Sequence, residues 1–511
     1  MKLSAFIAAR IEAIAADRSS GAAELALRAA ETLALARPEE LAGAAQALMR
    51  AQPSMAGVYN AAQAALADTL DAFMQRLRDS GDRIARAAAP RGLFYALQTL
   101  RQLLPIEIFS RTPQPGVDWS VPCVEIEDRP RFSWRGAMLD VGRHFMPLEF
   151  LFQFIDLLAL HKMNRFHWHL TEDQGWRIEI KKYPRLTEVG AWRKQTMVGH
   201  FDGRLEGLTF DGTPHGGFYT QEEVRRVVEY ARARFVQVVP EIEMPGHSQA
   251  AIAAYPHLGN TGQPVEVSQV WGIHEHVFNV EEGTFQFLTD VLEEVLDLFP
   301  DSFIHIGGDE CPKKEWRESP SAQARMRELG LKDEDELQSW FIRRIDRFLT
   351  ERGRRLIGWD EILEGGLAEN AAVMSWRGEE GGIHAARQGH DVIMAPNTNV
   401  YFDYYQSDEK NEDPTGMIGI NKLDNVYNYD PMPAQLNAEE ARHILGVQAC
   451  LWTTMVHNPL DLEVRTLPRL CALSEIAWSA KEKKNYDDFL ARMKTHYVRL
   501  MKHDYGFYFP C

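Results

Sequence analysis

The sequence predicts an α/β protein, a (β/α)8 barrel that follows a small all-helical N-terminal domain. From residue 131 onward, short apolar β-rich runs alternate with amphipathic helical stretches, which is typical of parallel βα units. Residues 1–88 are instead rich in alanine and patterned at helical spacing. We therefore expect three parts: a helical domain at 1–88, a connector with a short helix at 89–130, and the barrel with a C-terminal helical extension at 131–511.

The N-terminal part has apolar stripes but no motif that carries chemistry. Ile7, Ile11 and Ile14 fall on one helical face, and Pro38 and Pro53 mark breaks between segments. This spacing indicates a helical bundle. Such a bundle serves packing or oligomerisation, and we expect a homo-oligomer formed through these helices. After Pro90, RGLFYALQTLRQLLP predicts a short amphipathic helix, and a proline-spaced connector follows.

The barrel is predicted from eight strand and six helix candidates. The strands are predicted at 135–140, 165–170, 235–241, 303–307, 356–359, 372–375, 391–395 and 446–451. Helices are predicted between most of them, at 148–161, 221–234, 284–298, 336–352, 381–388 and 438–444. Eight such units suit a closed barrel with insertions. The alternative, a doubly wound open sheet, normally has a glycine-rich phosphate loop after its first strand, and LDVGRHF is not one.

Composition excludes several classes of function. Lys+Arg 56 against Asp+Glu 73 gives a net charge of −17, which argues against nucleic-acid or anionic-membrane partners. Five scattered cysteines without CxxC spacing argue against a disulfide framework or a zinc cluster. No apolar run approaches the roughly 20 residues of a membrane span. As written the chain is expected to be cytoplasmic, or secreted or periplasmic if a leader has been removed.

The ends of the predicted strands are where chemistry is expected. A barrel places its site at the carboxyl ends of its strands, so polar and aromatic residues should follow each one. They do so at all eight strands: Arg143 and His144, His169 and Asp173, Glu243 and His247, Asp309 and Glu310, Trp359 with Asp360 and Glu361, Trp376 and Arg377, Tyr401 and Asp403, and Trp452.

The most specific of these motifs is FIHIGGDE at 303–310. Gly307 and Gly308 allow a tight turn and a close approach of substrate. Asp309 and Glu310 then present two neighbouring carboxylates, which are the usual equipment for acid/base chemistry on glycosides. The alternative is a solvated acidic loop.

Three tryptophans at successive strand ends favour the functional interpretation. Trp359, Trp376 and Trp452 should converge on the same mouth of the barrel as the carboxylates. An aromatic face covers the C–H side of a pyranose while hydrogen bonds hold its hydroxyls. The alternative for each tryptophan is ordinary core packing. The sequence therefore predicts a sugar pocket.

These motifs resemble glycoside hydrolase family 20, the β-N-acetylhexosaminidases. The matching pieces, in family order, are WRGAMLDVGRHF, NRFHWHLTEDQGWRIEI, PEIEMPGHS, FIHIGGDECPK, LIGWDEIL, VMSWRG, YFDYY and the LW at 451–452. The resemblance covers about residues 131–480 and implies a retaining exo-β-N-acetylhexosaminidase. Such an enzyme removes terminal β-linked GlcNAc or GalNAc, so the implied partner is a glycan or glycoconjugate.

The resemblance also implies a role for each residue that matches. In this family the 2-acetamido oxygen of the substrate attacks the anomeric carbon, so the enzyme supplies no nucleophile. Glu310 would be the general acid and then the base, Asp309 would orient the acetamido group, and Tyr401 would donate to its oxygen. The implied sugar-binding residues are Arg143 at O3 and O4, Asp403 at the outer hydroxyls, and the walls Trp359, Trp376 and Trp452.

Asp173 and His247 resemble a supporting polar pair near the acid/base. The alternative for His247 is an ordinary loop histidine whose hydrogen bonds are satisfied. His167, His169 and His305 alternate with apolar residues on strands. That placement favours buried, hydrogen-bonded histidines over metal ligands, so we expect neither metal nor cofactor.

Two departures from the family pattern stand out. Many relatives carry a glutamate two positions after the last tryptophan, where this chain has Thr454, and this leaves the gluco, galacto or 6-modified preference open. Of the small α/β domain that commonly precedes the barrel, only the last helix, GLFYALQTL, is recognisable. The stretch before it resembles the helical N-terminal part of translation-initiation-factor-2B-like proteins, whose catalytic domain does not follow here.

Two other functional classes remain open from the sequence. One is a non-catalytic glycan-binding protein that retains the sugar pocket. The other is an interaction protein whose function lies in the N-terminal helices.

Overall fold

Eight parallel strands close into a barrel in the computed structural model, which describes residues 5–16, 32, 44, 47–48, 90–110, 112–199, 207–408, 417–456 and 458–509. The barrel strands are β1 (Trp134–Asp140), β2 (Arg165–His169), β3 (Gln237–Glu241), β4 (Phe303–His305), β5 (Arg355–Trp359), β6 (Ala372–Ser375), β7 (Val392–Met394) and β8 (Ile444–Leu451). Each strand pairs in parallel with the next along the chain, and β8 pairs with β1 from Trp134 opposite Gly446 to Leu139 opposite Leu451. The predicted closed barrel is therefore confirmed, and the open sheet is excluded.

Helices cover the outside of the barrel, as βα alternation requires. Those of eight or more residues are Leu148–Leu160, Gln221–Arg232, Glu282–Leu298, Pro320–Leu329, Glu334–Glu351, Glu380–Arg387, Pro459–Thr466 and Arg469–Trp478. Shorter helices are Arg185–Glu188, Gln249–Ala254, Lys314–Glu318, Asn397–Val400 and Leu423–Asn428. A capping box formed by Thr220 and Glu223 begins Gln221–Arg232, which satisfies two of the free N–H groups at that helix start.

The two units into which the chain divides are Met1–Asp128 with Asn485–Gly506, and Arg129–Lys484 with Phe507–Cys511. The first unit contains the helices Ala5–Ala16, Pro90–Leu103 and Tyr486–Lys502. Most of the bundle predicted at 1–88 lies outside the described residues, and its boundary stays a prediction. The helix Tyr486–Lys502 falls within the first unit, and the predicted division of the chain into domains stays a prediction.

Differences from the predicted elements are small and local. The strand predicted to reach Gly307 ends at His305, because Gly307 and Gly308 both adopt positive φ, 68° and 88°. The helix predicted at 438–444 is a single 3-10 turn, Glu440–His443. Within the described residues, no helix combines the length and apolar character needed to cross a membrane.

The interior of the barrel is polar at its centre. The carboxylate of Glu241 lies 3.0 Å from His167 Nε2 and 2.8 Å from His305 Nδ1, and it also hydrogen-bonds His169 Nδ1. All four side chains are fully buried. Burial opposes charge on His169, but Glu241 and Glu172 raise its pKa to about 10. A buried ion pair between His169 and Glu241 therefore lies directly beneath the mouth of the barrel.

Candidate active site

Nine of the ten residues predicted to form the site follow barrel strands at the carboxyl-end mouth, and the tenth, Trp359, is the last residue of β5. They lie within the Arg129–Lys484 unit. The carboxyl ends of eight parallel strands meet at one face of a barrel, which explains why residues far apart in sequence converge.

The acidic loop after β4 is shaped by its glycines. A Cβ at Gly307 would lie 1.6 Å from Glu243 Oε2, so only glycine fits there. Glu310 has a φ of 41°, a left-handed conformation that a non-glycine residue adopts at a cost. This turn buries Asp309, whereas the Glu310 side chain remains 31% exposed. The turn thus presents one carboxylate inward and the other at the opening.

His247 links the acidic loop to the loop after β2. Its Nδ1 lies 2.7 Å from Glu172 Oε1 and 3.1 Å from Asp173 Oδ2. Its Nε2 lies 3.7 Å from Asp309 Oδ2 and 3.6 Å from Glu310 Oε2. Burial favours the neutral imidazole, but Glu172 and Asp173 outweigh it and hold the pKa of His247 well above its usual range. His247 is therefore a buried cation between two pairs of carboxylates.

Two buried carboxyl groups in this loop region have raised pKa values. Burial, together with Glu310 and Glu241, raises the pKa of Asp309 to about 7, although His247 opposes that rise. Burial and the nearby Asp309 hold the pKa of Glu243 well above its usual range. Asp309 Oδ1 and both carboxyl oxygens of Glu243 are buried without a hydrogen-bond partner within the described part of the chain. The Glu243 carboxyl, which lies next to the acidic loop, is therefore harder to ionise than an ordinary glutamate.

Four aromatic side chains form a cage beside the carboxylates. Trp452 lies 5.8 Å from Trp359 and 6.1 Å from Tyr401, measured between ring centroids. Trp376 stacks on Tyr401 with an interplanar angle of 14° and a centroid separation of 6.1 Å. The Arg143 guanidinium lies over Trp452, 4.8 Å from its ring centroid. The structure therefore brings the predicted walls together.

Carboxylates hold two of these walls in place. Trp359 Nε1 donates to Glu241 Oε1 at 2.8 Å, and Trp376 Nε1 donates to Glu361 Oε2 at 2.9 Å. Sequence reasoning placed Glu361 among the strand-end residues without giving it a role, and it did not single out Glu241. The available signal was position, since Glu241 ends β3 in PEIEMPGHS and Glu361 follows β5 in LIGWDEIL.

Arg143 is fixed by two acidic groups at the barrel mouth. Its Nη1 lies 3.3 Å from Asp140 Oδ2 and its Nη2 lies 3.1 Å from Glu172 Oε2. Burial opposes the charge, but Glu172 and Asp140 raise the pKa of Arg143 above its usual value. Asp140 and Glu172 were also missed from the sequence, although Glu172 directly precedes Asp173 and Asp140 ends the strand before Arg143.

The remaining predicted residues complete the rim. Burial raises the pKa of Asp403 to about 7, against the opposing effect of Arg465 and Arg469. Burial likewise raises the pKa of the Tyr401 hydroxyl, so Tyr401 stays a donor. Thr454 follows Trp452 in a loop that Thr453 ties to β1, because Thr453 N donates to Asp140 Oδ2 at 3.1 Å.

Several clusters in the described residues have ligand atoms close enough to hold a metal. Within each, the ligand atoms lie within 4.8 Å of one another, as in His167–Glu241–His305 and His247–Asp309–Glu310. The histidine and tryptophan hydrogen bonds described above already engage both oxygens of Glu241. The absence of a metal requirement stays a prediction.

The chain matches the model of glycosyl hydrolase family 20, catalytic domain, over residues 132–481. It is 47% identical over 461 residues to the beta-hexosaminidase of Porphyromonas gingivalis, covering 90% of this chain and 57% of that relative. It is 32% identical to the beta-hexosaminidase of Akkermansia muciniphila, with 84% of each chain covered. The chain therefore spans little more than half the length of the first relative.

Two solved structures of similar enzymes share the fold of this chain. The exo beta-N-acetylglucosaminidase of Vibrio harveyi in complex with N-acetylglucosamine matches with a TM-score of 0.72 at 36% identity, covering 82% of this chain and 64% of that one. The beta-N-acetylhexosaminidase of Streptomyces coelicolor matches with a TM-score of 0.69 at 30% identity, covering 82% and 79%.

Proposed function

This chain belongs to glycosyl hydrolase family 20, and we propose that it is a retaining exo-β-N-acetylhexosaminidase that removes terminal β-linked GlcNAc or GalNAc from a glycan or glycoconjugate. The observation that carries the proposal is the Asp309–Glu310 pair beside the cage of Trp359, Trp376, Tyr401 and Trp452.

The placement of the two carboxylates favours a nucleophile that belongs to the substrate. A two-carboxylate retaining enzyme needs one group on each side of the scissile bond. Asp309 and Glu310 both lie within 3.7 Å of the same atom, His247 Nε2, and so approach from one side. The 2-acetamido oxygen can instead attack the anomeric carbon, and as an intramolecular nucleophile it has a large proximity advantage.

In the first step Glu310 donates its proton to the glycosidic oxygen. The acetamido oxygen bonds to the anomeric carbon as the leaving alcohol departs, which forms an oxazolinium ion. Ionised Asp309 stabilises the positive charge on the acetamido nitrogen, and the Tyr401 hydroxyl donates to the acetamido oxygen. In the second step water attacks the anomeric carbon and gives a proton to Glu310, while the bond between that carbon and the acetamido oxygen breaks and the neutral acetamido group is restored. Two inversions retain the β configuration.

Hydrolysis of 4-nitrophenyl β-GlcNAc, followed by the release of nitrophenol, tests the proposal. We expect turnover by the wild type and a loss of about 10²–10⁴-fold in kcat/KM for Glu310→Gln. Glu328→Gln, at a helix residue 67% exposed, is the matched control and should behave as wild type. The corresponding β-glucoside lacks the acetamido group and should react far more slowly.

The outcomes separate the competing functions. A wild type that binds a thiazoline mimic of the oxazolinium ion without hydrolysing the glycoside would be a glycan-binding protein. Equal hydrolysis of the β-glucoside would contradict the substrate-assisted mechanism. Comparison of β-GlcNAc, β-GalNAc and 6-sulfated GlcNAc glycosides would settle the preference that Thr454 leaves open.

A further inference from the structure

The loops that follow β5 and β6 are joined by two side-chain contacts. The two strands are parallel neighbours, so the residues directly after them face each other. Arg377 Nε donates to Asp360 Oδ1 at 2.8 Å, and Trp376 Nε1 donates to Glu361 Oε2 at 2.9 Å. Two consecutive residues of one loop thus bind two consecutive residues of the next, and the second contact reaches the aromatic cage.

We propose that Glu361 is a positioning residue for the reaction: it fixes the Trp376 indole, and through that ring it holds the Tyr401 hydroxyl where it meets the acetamido oxygen of the substrate. The inference rests on the proposed function, because it takes Tyr401 as the donor to that oxygen. Glu361 acts here through its neighbours and not by contact with the substrate.

Glu361 is itself held firmly. It belongs to the 3-10 turn Asp360–Leu363, which directly follows β5, and it is 8% exposed. Its Oε1 lies 3.7 Å from Arg377 Nε. The neighbouring Asp360 is 1% exposed and bonded to the same guanidinium. The acceptor offered to the indole is therefore fixed in place.

Trp376 depends on this acceptor more than the other anchored wall does. Trp359 is 1% exposed and packs against the rings of His305 and Trp452. Trp376, in contrast, is only partly buried, so packing restricts its ring less. An indole has a single hydrogen-bond donor, Nε1, and its bond to Glu361 fixes the rotation of the ring.

Tyr401 depends in turn on Trp376. The two rings are stacked, with an interplanar angle of 14°, whereas Tyr404 and Trp452 meet Tyr401 at 67° and 57°. Trp376 therefore covers a face of the phenol ring. A shift of that ring would move the hydroxyl, and hydrogen bonds weaken steeply when their geometry departs from the optimum. Small misplacements of reacting groups are costly for the same reason.

The protonation state of Glu361 suits a position near Asp309. Burial and the nearby Asp309 raise the pKa of Glu361 to about 8. At pH 6 the group is therefore mostly protonated and adds little repulsion to the charge that Asp309 needs. Glutamine has the shape of a protonated glutamate and keeps an oxygen acceptor, so it should replace Glu361.

The first test measures hydrolysis of 4-nitrophenyl β-GlcNAc at pH 6. Glu361→Leu and Glu361→Ala both remove the acceptor, and Glu361→Gln keeps it. Glu364→Leu is the matched control, because Glu364 also binds Arg377, at 2.9 Å, but has no bond to the cage, and its side chain is 45% exposed. We expect kcat/KM to fall about tenfold in the leucine and alanine variants at 361, mainly through kcat. Glu361→Gln and Glu364→Leu should stay within about twofold of wild type. A tenfold loss corresponds to about 1.4 kcal/mol, the size of one hydrogen bond.

A double-mutant cycle shows whether Glu361 acts through the indole. Trp376→Phe lacks the Nε1 donor, so in that background Glu361→Leu should lower kcat/KM by less than about twofold. Coupled effects of this kind are non-additive, whereas a general loss of structure would add in both backgrounds. An equal tenfold loss with and without the indole donor, or no rescue by Glu361→Gln, would overturn the inference.

Binding of a thiazoline mimic of the oxazolinium ion gives a readout that needs no turnover. Its Kd measured by calorimetry should rise about tenfold in Glu361→Leu and remain at the wild-type value in Glu364→Leu. If wild type hydrolyses the glycoside and Glu361→Leu equals it in kcat/KM and Kd, the inference alone fails. If wild type binds the mimic without hydrolysis, the proposed function fails, and the Kd values still decide the role of Glu361. A wild type that does neither would overturn both.

Discussion

Glu172 contacts three charged side chains at once, at 2.7 Å from His247, 3.1 Å from Arg143 and 3.2 Å from His169. It is fully buried, so its charge acts through a medium that screens poorly. One carboxylate thus couples the arginine proposed to bind the sugar to the imidazole beside Asp309 and Glu310. Its effect on the reaction passes through these neighbours, which makes it a positioning residue.

Glu172→Gln should lower both activity and stability. Removing one member of a buried ionic cluster typically costs about 3–5 kcal/mol. The folded-state pKa of His247 lies above its unfolded value, so its ion pairs stabilise the fold below the unfolded pKa and lose this effect as pH rises through the folded pKa. The variant should therefore lose most stability at pH 6 and progressively less as pH rises, as measured by urea unfolding at a series of pH values. A loss that does not change with pH would contradict the coupling to His247.

Asp309 should make the activity sensitive to acid. Burial raises its pKa to about 7, and the proposed mechanism needs it ionised. The acid limb of kcat/KM should therefore have an apparent pKa well above the ordinary aspartate value of about 3.9. An acid limb at the ordinary value would show that Asp309 does not control it.

The same shift predicts the stability of Asp309→Asn. Between the unfolded and folded pKa values the unfolded chain loses a proton that the folded protein keeps. The free energy of unfolding of the wild type therefore falls progressively as pH rises. The amide removes this penalty. The Tm of Asp309→Asn minus that of wild type should therefore be larger at pH 8 than at pH 4. For Asp408→Asn, at a residue 72% exposed, this difference should not depend on pH. Calorimetry at both pH values measures the difference.

At the scale of elements, the turn after β4 places both carboxylates. Gly307→Ala would bring a Cβ to 1.6 Å from Glu243 Oε2 at a φ of 68°. Gly353→Ala is the matched control, since its φ is 70° and a Cβ there meets nothing within 4 Å. Both variants carry the left-handed penalty of about 1–2 kcal/mol, but only Gly307→Ala must displace Glu243. We expect at least about a tenfold lower kcat/KM in Gly307→Ala alone. Equal activity of the two variants would show that the approach to Glu243 is irrelevant.

The strands and most helices could be predicted because their signals are local. β1 and β8 are apolar runs, and the helix Gln221–Arg232 begins at a capping box. The end of β4 was misplaced because FIHIGG continues the apolar pattern, while the turn is set by Glu243, which lies far away in sequence.

The site was predictable where a residue carries a distinctive side chain at a strand end, as with Trp359 and Trp376. Their hydrogen-bond partners were not predictable in the same way. Glu241 reaches Trp359 across 118 positions in sequence, and which glutamate lies opposite an indole N–H depends on the shear of the closed barrel.

At the scale of the whole molecule, buried polar side chains replace part of the apolar packing inside the barrel and support the residues at its mouth. Gln448 on β8 donates to His167 Nδ1 on β2 at 2.9 Å, and Glu241 on β3 joins His167, His169 and His305. Barrel interiors are usually filled by bulky branched residues. This network of buried polar side chains is compatible with folding because nearly every member has a hydrogen-bond partner. The network ends at Trp359 in the wall of the cage.

The division into two units leads to a prediction about the N-terminus. All ten proposed site residues lie in the Arg129–Lys484 unit, and the family match begins at residue 132. Deleting residues 1–88 should therefore leave kcat/KM for 4-nitrophenyl β-GlcNAc within about twofold of wild type. We also expect the deletion to change the oligomeric state, because we assign self-association to these residues; light scattering coupled to size exclusion measures it over a range of protein concentrations. An unchanged oligomeric state would refute that assignment, and lost activity in a deletion variant that still unfolds cooperatively on heating would show that the segment contributes to the site.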